Sequence, residues 1–396
     1  MLSAYFDNNA NTPVLPEVRE AMLPALNGGL GNASSIHQRG QAAKAALEQA
    51  RNQVAELIHA PASAIVFTSG GTESDNLAIR GLLGAWQESH PQAPPAHLIT
   101  TRIEHHAVLH VFEDLEQAGH PVTWLRPDHQ GRVAADDVTA ALRPDTALIS
   151  VMMANNETGV LQPVEEIAKL ARAARVAFHV DAIQAVGRVP VDVRQLDCSA
   201  LSLSGHKIHA PAGVGALFVR RGTRLRPQIL GGHHERDRRA GTENLPGILG
   251  LGAAAGLARR DLDERQAKYA TLRDRLEAGV QAAIPAAGVA GVEAPRVPNT
   301  SDIFFDGIEG EALVIALDLH GFCVSTGAAC SSGAIEPSHV LLAMGWRHAR
   351  ARGSLRFSFA AQNTGEEVEA LLELLPGLVA QQRRLAVHEP AGVRHA

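Results

Sequence analysis

Six short apolar runs, at 64–68, 97–100, 148–153, 176–180, 199–203 and 216–220, punctuate the first 220 residues, with helical stretches between most of them. Ahead of them, Ala43, Ala46, Leu47, Ala50, Val54, Leu57 and Ile58 form a helical stripe over 41–59. Apolar strands alternating with helices predict a mainly parallel sheet covered by helices. Near Gly256 the pattern changes. Tyr269, Leu272, Leu276 and Val280 mark a long amphipathic helix, and 287–298 is rich in Gly, Pro and Ala. Beyond it, strand readings at 302–305, 322–324 and 355–359 alternate with helices at 311–319 and 339–344, giving a second, smaller α/β lobe. A closing helix over 366–375 leads to a tail that is expected to be mobile.

Composition narrows the class of protein. The chain has 396 residues, enough for two lobes, and is 45% hydrophobic and 20% charged, an ordinary globular balance. A formal net charge of -6 argues against nucleic acid or a membrane as the main partner. The start, Met1 to Asp7, lacks the pattern of a secretory signal, and no apolar run has membrane-span length. Cys198, Cys323 and Cys330 cannot form a disulfide framework, which fits a reducing cytoplasm.

Chemistry concentrates at strand ends. Lys207, in Ser204-Gly205-His206-Lys207, follows one apolar strand, and Asp181 closes another. An amine and a carboxylate so placed suit pyridoxal phosphate, which needs a Schiff-base partner and an acid to keep its ring nitrogen protonated. Ser69-Gly70-Gly71-Thr72 lies between a strand and a helix, where backbone amides attract a phosphate. Alternatively, Thr72 and Asp75 form a variant capping box. Asp181 alone could cap a helix, and His105 alone could be a surface histidine. Neither the histidines at 105, 106 and 110 nor His233-His234-Glu235 has metal-site spacing, so no stable metal site is expected. Small residues on both sides of Cys330, from Ser325 to Gly333, favour an accessible loop thiol; a buried, inert role is the reading for Cys198 and Cys323.

The chain resembles the cysteine desulfurases of the class V aminotransferase family, through Phe67 to Asn76, Asn155-Asn156-Glu157-Thr158-Gly159, His179-Val180-Asp181-Ala182, Ser204 to Lys207 and Gly327 to Gly333. Arg239-Ala240-Gly241-Thr242-Glu243-Asn244 looks most like the nitrogen-fixation and iron–sulfur branch. The resemblance implies the fold type I architecture: a large domain (16–258) with a mainly parallel seven-stranded sheet, and a small α/β domain (1–15 with 259–380) carrying the cysteine loop, followed by the tail (381–396). It implies that Lys207 holds pyridoxal 5'-phosphate covalently, with Asp181 on the ring nitrogen, Gln184 on the phenolic oxygen, His105 stacked on the ring and Asn156 beside it. Gly71, Thr72, Ser204 and His206 would bind the phosphate. Thr242 would reach the phosphate of a second subunit, implying a homodimer. Arg356, with Asn156, would bind the substrate, its forked guanidinium taking the carboxylate. Cys330 would accept sulfur from L-cysteine as a persulfide and pass it to an iron–sulfur scaffold, where it could act as a transient cluster ligand. Ala33, Ala212, Asn11 and Ala361 depart from the family pattern. A selenocysteine lyase, a transaminase, a catalytically silent assembly partner and, more remotely, a zinc hydrolase are the rival readings.

Overall fold

The larger hydrophobic cores fall into two groups, those on either face of a large sheet and one in a second lobe, and a cavity opens between the groups. The computed structural model describes residues 3–327 and 336–388; Cys330 and the last eight residues lie outside the described residues. The strands are β1 (Ala4–Tyr5), β2 (Ile65–Thr68), β3 (His97–Thr101), β4 (Val122–Leu125), β5 (Thr146–Met152), β6 (Ala177–Asp181), β7 (Ala200–Ser204), β8 (Gly215–Val219), β9 (Ala287–Val289), β10 (Thr300–Phe305), β11 (Phe322–Cys323) and β12 (Ser354–Ser358). Strands β2 to β8 form a seven-stranded sheet in the order β2-β8-β7-β6-β5-β3-β4. Only β8 runs against its neighbours.

Strand side chains alternate between two faces, so each apolar strand feeds two cores. Ile65, Phe67, Ile149, Val151, Leu201 and Leu203 join one cluster with the helices Gln38–Leu57, Val164–Ala174 and Leu245–Arg260. Val66, Leu98, Leu148, Ala200 and Leu217 join the other, under Gly71–Ser89 and His106–Gln117. The short edge strand β4 escaped sequence reading because it is mostly half-buried and interrupted by Thr123 and Trp124.

The remaining core gathers Tyr269, Leu272, Leu276 and Val280 of helix Leu262–Ala283 with Ile303, Phe305, Leu355, Phe357 and Leu371. Ala4 and Phe6, from the start of the chain, belong to this core as well. Here β12-β10-β9 form an antiparallel sheet, and β1 pairs in parallel with β11. The closing helix expected over 366–375 in fact spans Gly365–His388, so residues 381–388 are helical and do not begin a tail. Leu375, Leu378 and Val379 continue the apolar stripe of Leu371 into this core, carrying the helix past Pro376. No described helix is long and apolar enough to cross a membrane.

Candidate active site

The parallel strands end on one side of the large sheet, where ligands bind in open α/β folds. The cavity there has a volume of about 310 Å³. Gly71 and Thr72 follow β2, His105 follows β3, and Asn156 follows β5. Asp181 with Gln184 comes from β6, and Ser204, His206 and Lys207 come from β7 and the tight turn after it. Asn9, Ala10, Ser325, Gly327 and Arg356 close the cavity from the side of the second core.

Helix Gly71–Ser89 starts without a side-chain cap, so the expected Thr72–Asp75 capping box does not form. Asp75 is instead fully buried, and Glu73 reaches back to the Ser69 N–H at 2.8 Å. Gly70, at φ 154°, takes a backbone conformation that side-chain-bearing residues rarely adopt. Gly71 and Thr72, in the first turn of this helix, line the cavity together with Ser204, whose hydroxyl lies 3.0 Å from His206 Nδ1. Arg239 pairs with Glu73 at 2.8 Å and ties the segment before Thr242 to this turn.

Lys207 Nζ donates to the carbonyls of Asn9 at 2.6 Å and Ala10 at 2.7 Å. Burial, then Arg188 and Arg356, pull its pKa down to about 7, against the pull of Asp7 and Asp181. An amine so tuned is substantially neutral near pH 7 and therefore nucleophilic. His105 caps helix His106–Gln117, its Nδ1 accepting from the Ala107 N–H at 3.1 Å. That bond leaves the proton on Nε2. Burial and then Lys207 hold the ring's pKa at about 4, so it faces the cavity uncharged.

Three buried carboxyls stand behind the cavity. Burial raises Asp181 to about 6, while the Ile183 N–H at 2.9 Å and Lys207 favour its charged form. Burial pushes Glu104 up to about 8, and burial followed by repulsion from Asp181 holds Asp75 well above the carboxylate range. Both Asp75 oxygens lack a hydrogen-bond partner among the described residues. Asp181 is thus the member of the group best placed to stay ionised, and a cation in the cavity would strengthen that preference. His179, fully buried beside it, bonds Ser150 at 2.8 Å and Ser202 at 2.9 Å, and burial lowers its pKa to about 3.

Arg356 donates to Asp7 Oδ1 at 2.7 Å and to the Asn156 carbonyl at 3.0 Å. Its Nε and Asn156 Oδ1 are buried without partners among the described residues. Unsatisfied buried polar atoms lining a cavity are what a polar ligand would engage.

Ten residues singled out from the sequence line this one cavity: Gly71, Thr72, His105, Asn156, Asp181, Gln184, Ser204, His206, Lys207 and Arg356. Thr242 is exposed and does not line it. Sequence reasoning gave no role to Asn9, Ala10, Asp7, Glu104 or Arg188. Asn9 and Ala10 act through their backbone carbonyls, which leave no mark in a sequence.

A mainly parallel seven-stranded sheet beside a smaller α/β lobe, with a cavity at the strand ends, defines a fold type I transferase. The sequence matches the aminotransferase class-V family over residues 4–371, and the chain belongs to that family. It is 48% identical over 382 residues to a cysteine desulfurase of Trichormus azollae, covering 96% of this chain and 94% of that protein. Its fold is similar to that of a NifS-like protein, with a TM-score of 0.88 and 34% identity over 96% of this chain and all of the other. A structure of SspA in complex with cysteine aligns with a TM-score of 0.79 and 35% identity, over 90% of this chain and 98% of that one.

Proposed function

We infer that the protein is a pyridoxal-phosphate-dependent cysteine desulfurase, converting L-cysteine to L-alanine while Cys330 takes the sulfur as a persulfide. The carrying observation is that Lys207, Asp181, His105 and Arg356 meet in one cavity. Relatives named cysteine desulfurase and a neighbour solved with cysteine agree with this reading.

The donor set fits the cofactor: an uncapped helix start for a phosphate, a carboxylate for a ring nitrogen, a neutral ring for stacking and a depressed amine. Once bound, the cofactor supplies an electron sink for the substrate's Cα carbanion. Lys207 would hold it and, when released by substrate, move a proton from Cα. Asp181 would keep the ring nitrogen protonated, Gln184 would donate to the phenolic oxygen, and Gly71, Thr72, Ser204 and His206 would hold the phosphate. Arg356 and Asn156 would orient L-cysteine by its carboxylate. The Cys330 thiolate would attack the substrate sulfur, forming one S–S bond as the Cβ–S bond breaks. One sulfur atom moves to the protein and alanine leaves.

Sulfur would pass from Cys330 to an acceptor for iron–sulfur cluster assembly or nitrogen fixation, with Cys330 a transient cluster ligand. The protein would act in the cytoplasm as a homodimer, and the exposed Thr242 would serve the cavity of a second copy. The reading also divides the chain into 16–258 and 1–15 with 259–380, which the grouping of Ala4 and Phe6 with Tyr269 to Val379 in one core supports.

The test incubates purified full-length protein with pyridoxal phosphate and L-cysteine and measures alanine together with protein-bound persulfide. Cys330→Ala should keep the cofactor and lose the persulfide. Alanine and sulfide at full rate from that variant would end the assignment of Cys330. Borohydride trapping should label Lys207; a label elsewhere, or none, would end the reading as a whole.

A further inference from the structure

Arg188 is buried, with 4% of its surface exposed, yet meets no carboxylate among the described residues. Its Nη1 donates to the Gln184 side-chain Oε1 and, at 3.1 Å, to the Gln184 carbonyl; Nη2 reaches the Asn8 carbonyl at 3.5 Å. Gln184 Nε2 in turn donates to the Asn9 carbonyl at 3.1 Å, the same oxygen that accepts from Lys207 Nζ. A guanidinium can only donate and a carbonyl can only accept, so this chain permits one orientation of the Gln184 amide. Arg188 occupies its oxygen, which leaves the N–H groups as what Gln184 can offer to Asn9 and to the cavity.

An unpaired buried cation is costly, and its persistence needs a reason. Burial lowers the guanidinium to about 9, which still leaves it charged at neutral pH. The described groups around it give no compensating negative charge. Tyr269 and Arg265 approach from helix Leu262–Ala283 and His209 from the turn after Lys207, all lining one small void with Arg188 and Lys207. Arg356 adds a second cation. From the side of Lys207, Arg188 and Arg356 disfavour the ammonium form, Asp7 and Asp181 favour it, and the rings of His105 and His206 are neutral.

We propose that Arg188 is a positioning residue for the reaction, locking the Gln184 amide with its donors inward and facing the Lys207 amine across the void they share as an unneutralised cation. The inference rests on the reading of Lys207 as the reacting amine. It explains why a guanidinium occupies this interior: its charge, left unneutralised, acts on the amine that must attack an aldehyde.

The test compares wild type, Arg188→Gln and Arg188→Lys as full-length proteins. Stripped of cofactor, each is reductively methylated across a pH series and the label on Lys207 is read by peptide mass. Reloaded with pyridoxal phosphate, each has its visible absorption band titrated. Arg188→Gln, which keeps a donor for Gln184 but removes the charge, should move the Lys207 inflection up by about one pKa unit, a tenfold loss of neutral amine. Arg188→Lys should hold it near the wild-type value. An unmoved inflection in Arg188→Gln overturns the proposal. If that variant does not fold, a wild-type inflection in the ordinary lysine range overturns it equally. Borohydride labelling of Lys207 in wild type separates this failure from failure of the functional reading.

Discussion

Gly215, the first residue of β8, lies directly against Gly70: a Cβ on Gly215 would stand 2.8 Å from the Gly70 Cα and 2.9 Å from the Leu203 carbonyl oxygen. Both obstacles are backbone, so neither can rotate away. Gly215→Ala should push on the Gly70–Gly71 turn, cost about 1–3 kcal/mol of stability and weaken cofactor binding. Denaturant unfolding and an absorbance titration with pyridoxal phosphate read the two effects separately.

Asp7 is the carboxylate that holds Arg356 from outside the cavity. Among the described residues, Asp7→Ala leaves that guanidinium with the Asn156 carbonyl as its one remaining partner and frees it to turn. The KM for L-cysteine should rise roughly tenfold, matching the loss of one charge-assisted hydrogen bond of about 1.5 kcal/mol, with kcat less affected. Steady-state kinetics by alanine release checks this, and a KM within twofold of wild type would dismiss the role.

Glu104 gives a pH signature. Burial raises its folded pKa to about 8, above the value near 4.5 expected of the unfolded chain. The folded state therefore binds more protons between these values, and the stability from this group is fully present below the lower pKa and lost as pH rises through the upper one. Glu104→Gln removes that loss while keeping an oxygen for Thr101 and the Met152 N–H. Relative to wild type, the variant should gain stability between pH 5 and pH 9 in urea unfolding. A constant difference across that range would contradict the assignment.

Glu235 and Arg51 form a buried two-point ion pair, 2.7 and 2.8 Å, and Glu235 also accepts the Phe67 N–H at 2.9 Å. Glu235, Arg236 and Asp237 all have positive φ, so the pair holds a strained turn against β2. Glu235→Ala leaves Arg51 with Glu48 as its remaining carboxylate, at 3.1 Å, strips the Phe67 N–H of its acceptor, and should destabilise by about 3 kcal/mol, the low end for breaking a buried pair. Replacing both with apolar residues should recover much of that loss in thermal unfolding.

The cavity was largely legible in the sequence because its chemistry sits in contiguous motifs at strand ends. Ser204 to Lys207, Asp181 to Gln184 and Gly70 to Thr72 each carry their meaning within four residues. Strands with runs of fully buried apolar residues were legible for the same reason. What escaped were features made by distance: the half-buried edge strand β4, the helix carried past Pro376 by an existing core, and the Thr72–Asp75 cap that burial of Asp75 forbids. Arg188 drew no reading from the sequence, because nothing local marks it as buried.

The sequence by itself determined the alternation of elements, the family and most of the side chains that line the cavity, since these depend on local pattern and residue type. Only the tertiary structure decided that Asn9 and Ala10 carbonyls seat Lys207, that Asp7 steadies Arg356, and that Arg188 meets no carboxylate among the described residues. Those relations join residues up to about 350 positions apart. Their energies depend on burial and on which charge faces which, and a linear chain does not fix either until separate cores close around one cavity.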